Sequence, residues 1–357
     1  MKRSIIVTAG GTGGHVFPGL AVAKQLQAQG IEVAWIGTQK GIEASVIPPS
    51  QIRFYSIDIK GLRGKHWRAR LTLPWQLIKA LWQTRQIFKS CRPALILAMG
   101  GYVTGPVGLL AWFYRIPLIV HEQNACFGLT NRVLSKLANK TLIAFPIKEP
   151  HCTHVGNPIR AELVHLSSRI DKAQKSSDTK LNLLVLGGSQ GALAINTCVP
   201  EALSLLPLDK RPNVWHQTGQ AHFELTQQHY DSFKYQAQLA PFIEDMAKAY
   251  EWADVIISRA GALTIAEITA LGRPSILIPY PHAVDDHQTA NAKALVKAGG
   301  ALLIQESDLT PSLLVKHLER LYVSSYRQGM GKTAKQFGIP GATEHVAAHC
   351  LEIYYEK

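Results

Sequence analysis

Two glycine-rich turns, Gly10-Gly11-Thr12-Gly13-Gly14-His15 and Gly187-Gly188-Ser189-Gln190-Gly191-Ala192, carry the clearest chemistry in this sequence. Each follows a short apolar run and leads into an amphipathic one, as the turn between a strand and a helix would. Glycines let backbone N–H groups approach an anion, and the following helix N-terminus adds partial positive charge. Thr12 and Ser189 can add hydroxyl donors toward phosphate oxygens. One such loop reads equally well as a tight turn without a ligand; two in equivalent places are harder to dismiss. The competing phosphate chemistries fit poorly. Dinucleotide binding requires G-x-G-x-x-G and an acid ending the second strand for the ribose. Here Val33–Ile36 runs into Gly37-Thr38, with no acid before Glu43. A P-loop needs a G-K-S/T that follows neither turn. The groups His282, Asp285, Asp286, His287 and His151, Cys152, His154 do not form a metal ligand set by themselves, so no metal is expected.

The elements that must hold these turns alternate as β and α from the start. Ser4–Ala9, Glu32–Ile36, Ala94–Met99 and Leu118–His121 read as strands and Pro18–Gln29 as a helix. The strands are apolar on both faces, which predicts a parallel sheet covered by helices. Around residues 157–180 the pattern lapses into a turn and a polar stretch. It then restarts with strands at Leu181–Leu186, Val255–Ser258, Ser275–Pro279 and Ala301–Ile304, and helices at Leu263–Leu271 and Gln288–Ala298. Two doubly wound α/β domains, each opening on a glycine turn, form the simplest architecture.

A chain of 357 residues suits two domains. No apolar run reaches the roughly 18–20 residues that span a bilayer, the longest being broken by Gly105, Pro106, Arg115 and Pro117. Met1-Lys2-Arg3 leads straight into a strand, so no signal peptide is expected. The 5 cysteines are scattered and read as free thiols of a reducing compartment. The net charge of +13 suits nucleic acid, anionic lipid or a phosphorylated substrate. Its distribution is more informative: between Ile59 and His121 there is no Asp or Glu, while Lys60, Arg63, Lys65, Arg68, Arg70, Lys79, Arg85, Lys89, Arg92 and Arg115 all fall there. No nucleic-acid-binding motif accompanies them, so no nucleic-acid partner is expected.

With both glycine turns in hand, the chain resembles the MurG family nearly end to end. The resemblance rests on Gly10–His15, Gly61–Lys65, Met99–Pro106, His121–Asn124, Gly156–Arg160, Gly187–Ala192, Phe242–Met246, Arg259–Glu267, Asp285–Ala292 and Ala342–Ala347. It implies a GT-B fold, two Rossmann-like domains facing a cleft: residues 1–158 for acceptor and membrane docking, 159–340 for the UDP-sugar donor, and a C-terminal helix, 341–357, packing back on the first. It implies inverting transfer of N-acetylglucosamine from UDP-N-acetylglucosamine to lipid I, giving lipid II, without a cofactor, at the cytoplasmic face of the inner membrane. Cell-wall synthesis proteins are possible partners. Another UDP-sugar transferase, a UDP-sugar epimerase and a non-catalytic nucleotide-sugar sensor are the alternatives.

The resemblance also implies residue roles. Ser189 would bond the donor pyrophosphate and Arg160 compensate its charge, as hydroxyl and guanidinium chemistry allow. Phe242 and Ile243 would border the uracil, with the Ile243 backbone on its edge. The backbone of Ala262, Leu263, Thr264, Ile265 and Ala266 and the Glu267 carboxylate would hold sugar and ribose hydroxyls. Gln288, and Asn124 from the first domain, would contact the sugar. Thr12, Gly13 and Gly14 belong to the donor set as well, and the two glycines with Gly101 and Tyr102 could cradle the acceptor diphosphate. Direct displacement needs a general base, for which His15 is the best placed and Glu122 the next.

Leu73–Lys89 offers an independent signal. At helical spacing Leu77, Ala80, Leu81, Thr84, Ile87 and Phe88 share a side that can face a core. Trp75, Ile78, Lys79, Trp82, Arg85 and Lys89 lie opposite, a mixture suited to an anionic membrane surface. Arg63, Lys65, Trp67, Arg68 and Arg70 precede it. A protein–protein surface or a helix buried on both sides is the competing reading.

Overall fold

The computed structural model describes residues 4–61, 73–147, 149–170, 180–188 and 190–356; Ser189, Arg63, Lys65, Trp67, Arg68 and Arg70 lie outside them. The chain divides into two compact units, residues 1–160 with 341–357, and residues 161–340. Each is built on its own sheet, and every strand pairing is parallel.

The first sheet contains β1 (Ile5–Ala9), β2 (Val33–Gly37), β3 (Arg53–Ser56), β4 (Leu95–Gly100), β5 (Leu118–Glu122), β6 (Lys140–Ile143) and β7 (Cys152–His154), in the order 3-2-1-4-5-6-7. The second contains β8 (Asn182–Leu186), β9 (Asn213–Gln217), β10 (Gln238–Ala240), β11 (Val255–Ser258), β12 (Ser275–Leu277) and β13 (Leu302–Leu303), in the order 10-9-8-11-12-13. In both, the chain reverses direction across the sheet beside the first strand, between β1 and β4 or between β8 and β11. Ligand sites of doubly wound sheets form at such a switch point, outside the carboxyl ends of the strands. Both glycine turns leave β1 and β8 there.

Strand alternation explains the two cores of the first unit. Ile5, Val7, Leu95 and Leu97 enter one apolar cluster, and Ile6, Ile96 and Ala98 enter the other. Helices α1 (Gly13–Ala28), α2 (Glu43–Val46), α3 (Leu73–Cys91), α4 (Thr104–Phe113) and α5 (Leu129–Leu134) surround that sheet; α6 (Leu193–Ser204), α7 (Met246–Trp252), α8 (Ala262–Ala270) and α9 (His287–Lys297) serve the second. The last helix, α10 (Ala342–Tyr355), returns to the first unit, where Val346, Ala347 and Cys350 join the cluster of Val16, Val22 and Leu26.

Most strands lie within two residues of the sequence reading, but β3, β6, β7, β9 and β10 were not anticipated. Helix α1 begins at Gly13, not Pro18. Proline favours a first helical turn, which draws the boundary to Pro18. The glycine turn itself supplies the first turn, and Pro18 merely forgoes one N–H bond in the second.

Candidate active site

In the first unit the Gly10–Gly14 turn interlocks with a second glycine turn, Gly100-Gly101, at the end of β4. Gly101 has φ +90°, and a Cβ there would come within 2.2 Å of the Gly10 carbonyl oxygen. Only glycine permits that approach. A Cβ on Gly100 would reach 2.8 Å from Nδ1 of His15, so this glycine gives the imidazole its seat. Thr12 is exposed and extended (φ −116°, ψ 155°) and starts α1 with no side-chain cap; His15 N already bonds the Thr12 carbonyl at 3.1 Å, so Gly13 and Gly14 carry the N–H groups that open the helix. The Tyr102 ring lies beside Gly11 and Gly61. Thus Thr12, Gly13, Gly14, His15, Gly101 and Tyr102, distant in sequence, form one neighbourhood.

Two buried side chains hold this neighbourhood that sequence reasoning did not assign. Glu43 is wholly buried and accepts from Gly11 N at 3.3 Å, Thr38 N at 2.9 Å and Thr38 Oγ1 at 2.8 Å. It ties the glycine loop to the turn after β2. Gln123 lies 2.9 Å from His15 Nδ1 through its Oε1, while its Nε2 donates to the Met99 carbonyl. The sequence signal for Gln123 is its place inside His121–Asn124; Glu43 shows in the sequence only as an acid too late for a ribose.

Glu122 is buried and crowded with donors: Asn124 N at 3.0 Å and Asn124 Nδ2 at 3.2 Å reach Oε1, and Gly128 N at 3.1 Å and Asn131 Nδ2 at 2.9 Å reach Oε2. Four donors to two oxygens describe a carboxylate that shapes its loop. His121 is buried too, and bonds the Gly156 carbonyl through Nε2 at 2.9 Å. Burial, with the neighbouring His15 adding to it, lowers its pKa to about 4. Arg160 ends the first segment of this unit as a half-buried residue.

In the second unit Gly188 (φ +84°) and Gly191 (φ +77°) shape the turn after β8, and a Cβ on Gly191 would meet the Thr218 carbonyl oxygen at 2.0 Å. Gln217, unassigned from sequence, bridges two segments: Nε2 donates to Gly188 O at 3.0 Å and Oε1 accepts from Ile243 N at 2.9 Å. The Ile243 side chain is buried, whereas Phe242 is exposed. With its N–H engaged, Ile243 presents its carbonyl as the remaining backbone group.

Gly261 is the N-cap of helix α8, and Ile265 N already bonds Gly261 O at 3.0 Å. The outward-facing donors are therefore those of Ala262, Leu263 and Thr264, while Ile265 and Ala266 belong to the helix body. Glu267, which an isolated reading would place on an exposed face, is only 4% exposed and accepts from the Tyr250 hydroxyl at 2.9 Å. Gln288 Oε1 accepts from Ala260 N at 3.2 Å and Tyr280 N at 3.0 Å, which turns its amide nitrogen outward as a donor. It sits just after Asp285 and Asp286, both left-handed at φ 53° and 50°, a strained approach to α9. Among the described residues no three His, Cys, Asp or Glu side chains gather as a metal site would require.

On α3 the expected faces separate: Ala80, Thr84, Ile87 and Phe88 are buried, while Trp75 and Trp82 are 76% and 59% exposed and Ile78, Arg85 and Lys89 are exposed with them. Lys79 is engaged by Asp58 at 2.8 Å, and Arg85 donates to the Tyr114 hydroxyl at 2.9 Å. That bond leads to an aromatic group not anticipated from sequence, Trp112 and Phe113 at the end of α4, 56% and 70% exposed. Among the described residues no helix is long and apolar enough to cross a membrane.

Comparison with known proteins gives these sites a family. Residues 5–143 match the glycosyltransferase family 28 N-terminal domain, and residues 182–346 match its C-terminal domain. The chain is 47% identical over 355 residues to the UDP-N-acetylglucosamine–N-acetylmuramyl-(pentapeptide) pyrophosphoryl-undecaprenol N-acetylglucosamine transferase of Alkalilimnicola ehrlichii, covering 99% of each chain. The Nitrosococcus oceani protein of that name is 46% identical with the same coverage. The crystal structure of Acinetobacter baumannii MurG superposes with a TM-score of 0.83 at 39% identity, over 98% of this chain and 99% of that one. The UDP-GlcNAc 2-epimerase of Neisseria meningitidis, at 14% identity and a TM-score of 0.68, shares the fold alone. The chain therefore belongs to glycosyltransferase family 28, among the UDP-N-acetylglucosamine–N-acetylmuramyl-(pentapeptide) pyrophosphoryl-undecaprenol N-acetylglucosamine transferases, and is a GT-B glycosyltransferase.

Proposed function

We infer that this chain transfers N-acetylglucosamine from UDP-N-acetylglucosamine to the N-acetylmuramyl group of lipid I, forming lipid II. The observation that carries the reading is the end-to-end identity with transferases named for that reaction. The site chemistry supports it. An acceptor hydroxyl attacks the anomeric carbon, the bond from that carbon to the UDP oxygen breaks, and the hydroxyl proton passes to a base. His15 is that base: its ring stands at an exposed glycine turn, while the Glu122 oxygens are spent on four donors. Departing diphosphate charge is met by Arg160, by Ser189 and by the N–H groups opening α8. Glu267 takes the ribose hydroxyls, Gln288 donates to the sugar, and Gly101 and Tyr102 serve the acceptor.

UDP release measured with a short lipid I analogue and a panel of UDP-sugars tests the reading. Release should require both the analogue and UDP-N-acetylglucosamine. Isomerisation of the donor without acceptor would point to epimerase chemistry instead, and equal turnover of UDP-glucose would displace the donor assignment.

The same protein docks on an anionic bilayer through α3 and the end of α4. Exposed tryptophans beside cations are the signature of an interfacial surface, where rings sit at headgroup depth and charges meet lipid phosphates.

A further inference from the structure

We propose that Gln123 is a positioning residue that fixes the tautomer of His15, leaving Nε2 as the nitrogen that receives the acceptor proton. The inference rests on the assignment of His15 as base, and deepens it. Met99, Gln123 and His15 form a chain of groups with fixed hydrogen-bonding sign. The Met99 carbonyl can only accept, so the Gln123 end facing it is the amide nitrogen. The other end, the amide oxygen, therefore faces His15 Nδ1 at 2.9 Å. An amide oxygen has no hydrogen to give, so Nδ1 must carry the proton. In a neutral imidazole one nitrogen donates and the other accepts, and the bond made by the first decides the second. Nε2 is thus the lone pair.

Neither anchor can be replaced by solvent, since Gln123 is 1% exposed and Met99 wholly buried. Gly100 removes the one Cβ that would push the ring from this seat. His121, two residues before Gln123, has the opposite arrangement: its Nε2 faces the Gly156 carbonyl and so carries the hydrogen. The two imidazoles are wired as opposite tautomers by carbonyl-type acceptors at opposite nitrogens.

Nitrogen-15 NMR of histidine-labelled protein reads the tautomer directly and requires no change at Gln123; a His15→Gln variant identifies the His15 signals. In the neutral state His15 should show a protonated Nδ1 and a bare Nε2. A protonated Nε2 would overturn the proposal. Gln123→Met should return the ring to a mixture of tautomers and lower kcat by roughly tenfold to a hundredfold, with the KM for UDP-N-acetylglucosamine within about twofold. Gln123→Glu, held as the neutral acid by burial, keeps both signs, its O–H donating to the Met99 carbonyl and its C=O accepting from Nδ1, and should recover most of the lost kcat. Unchanged kcat in Gln123→Met, or a Gln123→Glu variant no better than it, would count against the role. His15→Ala separates the two claims: near-normal turnover would remove His15 as base whatever the NMR shows, whereas an inactive His15→Ala beside a protonated Nε2 would sink Gln123 alone.

Discussion

The Tyr250 hydroxyl donates to Oε2 of Glu267 at 2.9 Å, between two side chains almost wholly withdrawn from water. In the proposed function this carboxylate takes the ribose hydroxyls, and the bond from Tyr250 fixes its orientation for that role. A hydrogen bond to a charged group contributes about 1.5–3 kcal/mol. Tyr250→Phe should therefore raise the KM for UDP-N-acetylglucosamine by roughly tenfold while changing kcat little. Steady-state kinetics at saturating acceptor decide it; a fall in kcat at unchanged KM would place Tyr250 elsewhere in the mechanism.

Glu43 predicts a defect confined to the first unit. Its oxygens receive Gly11 N, Thr38 N and Thr38 Oγ1. Glu43→Gln turns an NH2 toward at least one of those donors, a change of about 1–3 kcal/mol. The glycine loop should loosen, so acceptor kcat/KM falls while UDP affinity, measured by calorimetry, stays within about twofold. Equal loss of UDP affinity would contradict a local role.

Gln217 predicts the reverse pattern. By joining Gly188 to Ile243 it couples the turn proposed to hold the diphosphate to the segment proposed to border the base. Gln217→Ala should weaken UDP binding about tenfold with acceptor KM unaffected. UDP binding as tight as in the unsubstituted protein would mean that the two segments hold their geometry unaided.

Membrane docking has its own readout in vesicle flotation. Binding should be stronger to anionic than to neutral vesicles and fall with added salt. Trp75→Ala with Trp82→Ala should weaken it, and adding Trp112→Ala with Phe113→Ala should weaken it further. Binding indifferent to lipid charge and to all four substitutions would leave this surface for a protein partner.

Acid stability follows from two buried imidazoles, one in each unit. Burial lowers His121 to about 4 and His216 to about 3. Both lie below the roughly 6.5 of an unfolded histidine, so on acidification the unfolded chain takes up protons first. Their stability is complete above about pH 6.5 and declines toward the lowered values, His121 alone losing about 3 kcal/mol at that limit. Urea midpoints should fall between about pH 7 and about pH 5; a flat profile there would contradict neutral burial of these rings.

What was legible in the sequence was the repeat: apolar strands followed by glycine turns identify both switch points, and helical spacing on α3 separates its buried from its exposed side. What was not legible depended on polar atoms meeting across the chain. Strand β9, Asn213–Gln217, ends in the polar pair His216 and Gln217, whose residue types alone do not mark core positions. They are buried because His216 bonds Tyr230 and Asn196, and Gln217 bonds Gly188 and Ile243. Glu43 and Tyr250 were hidden for the same reason, since spacing reports a face and not a partner 32 or 17 residues away. Motif resemblance could nominate Glu267, but not say that a tyrosine holds it.

The return of α10 to the first unit has a consequence for how the protein is made. The second unit is one uninterrupted stretch, so all of its sequence is available before the final helix is translated. The first unit still lacks Val346, Ala347 and Cys350 from its core at that moment. The usual order on the ribosome, N-terminal domain first, is thereby inverted for completion: the unit begun first is finished last. A stalled or prematurely terminated chain would expose an unfilled hydrophobic face on its oldest part, a mark by which quality-control proteases could recognise it.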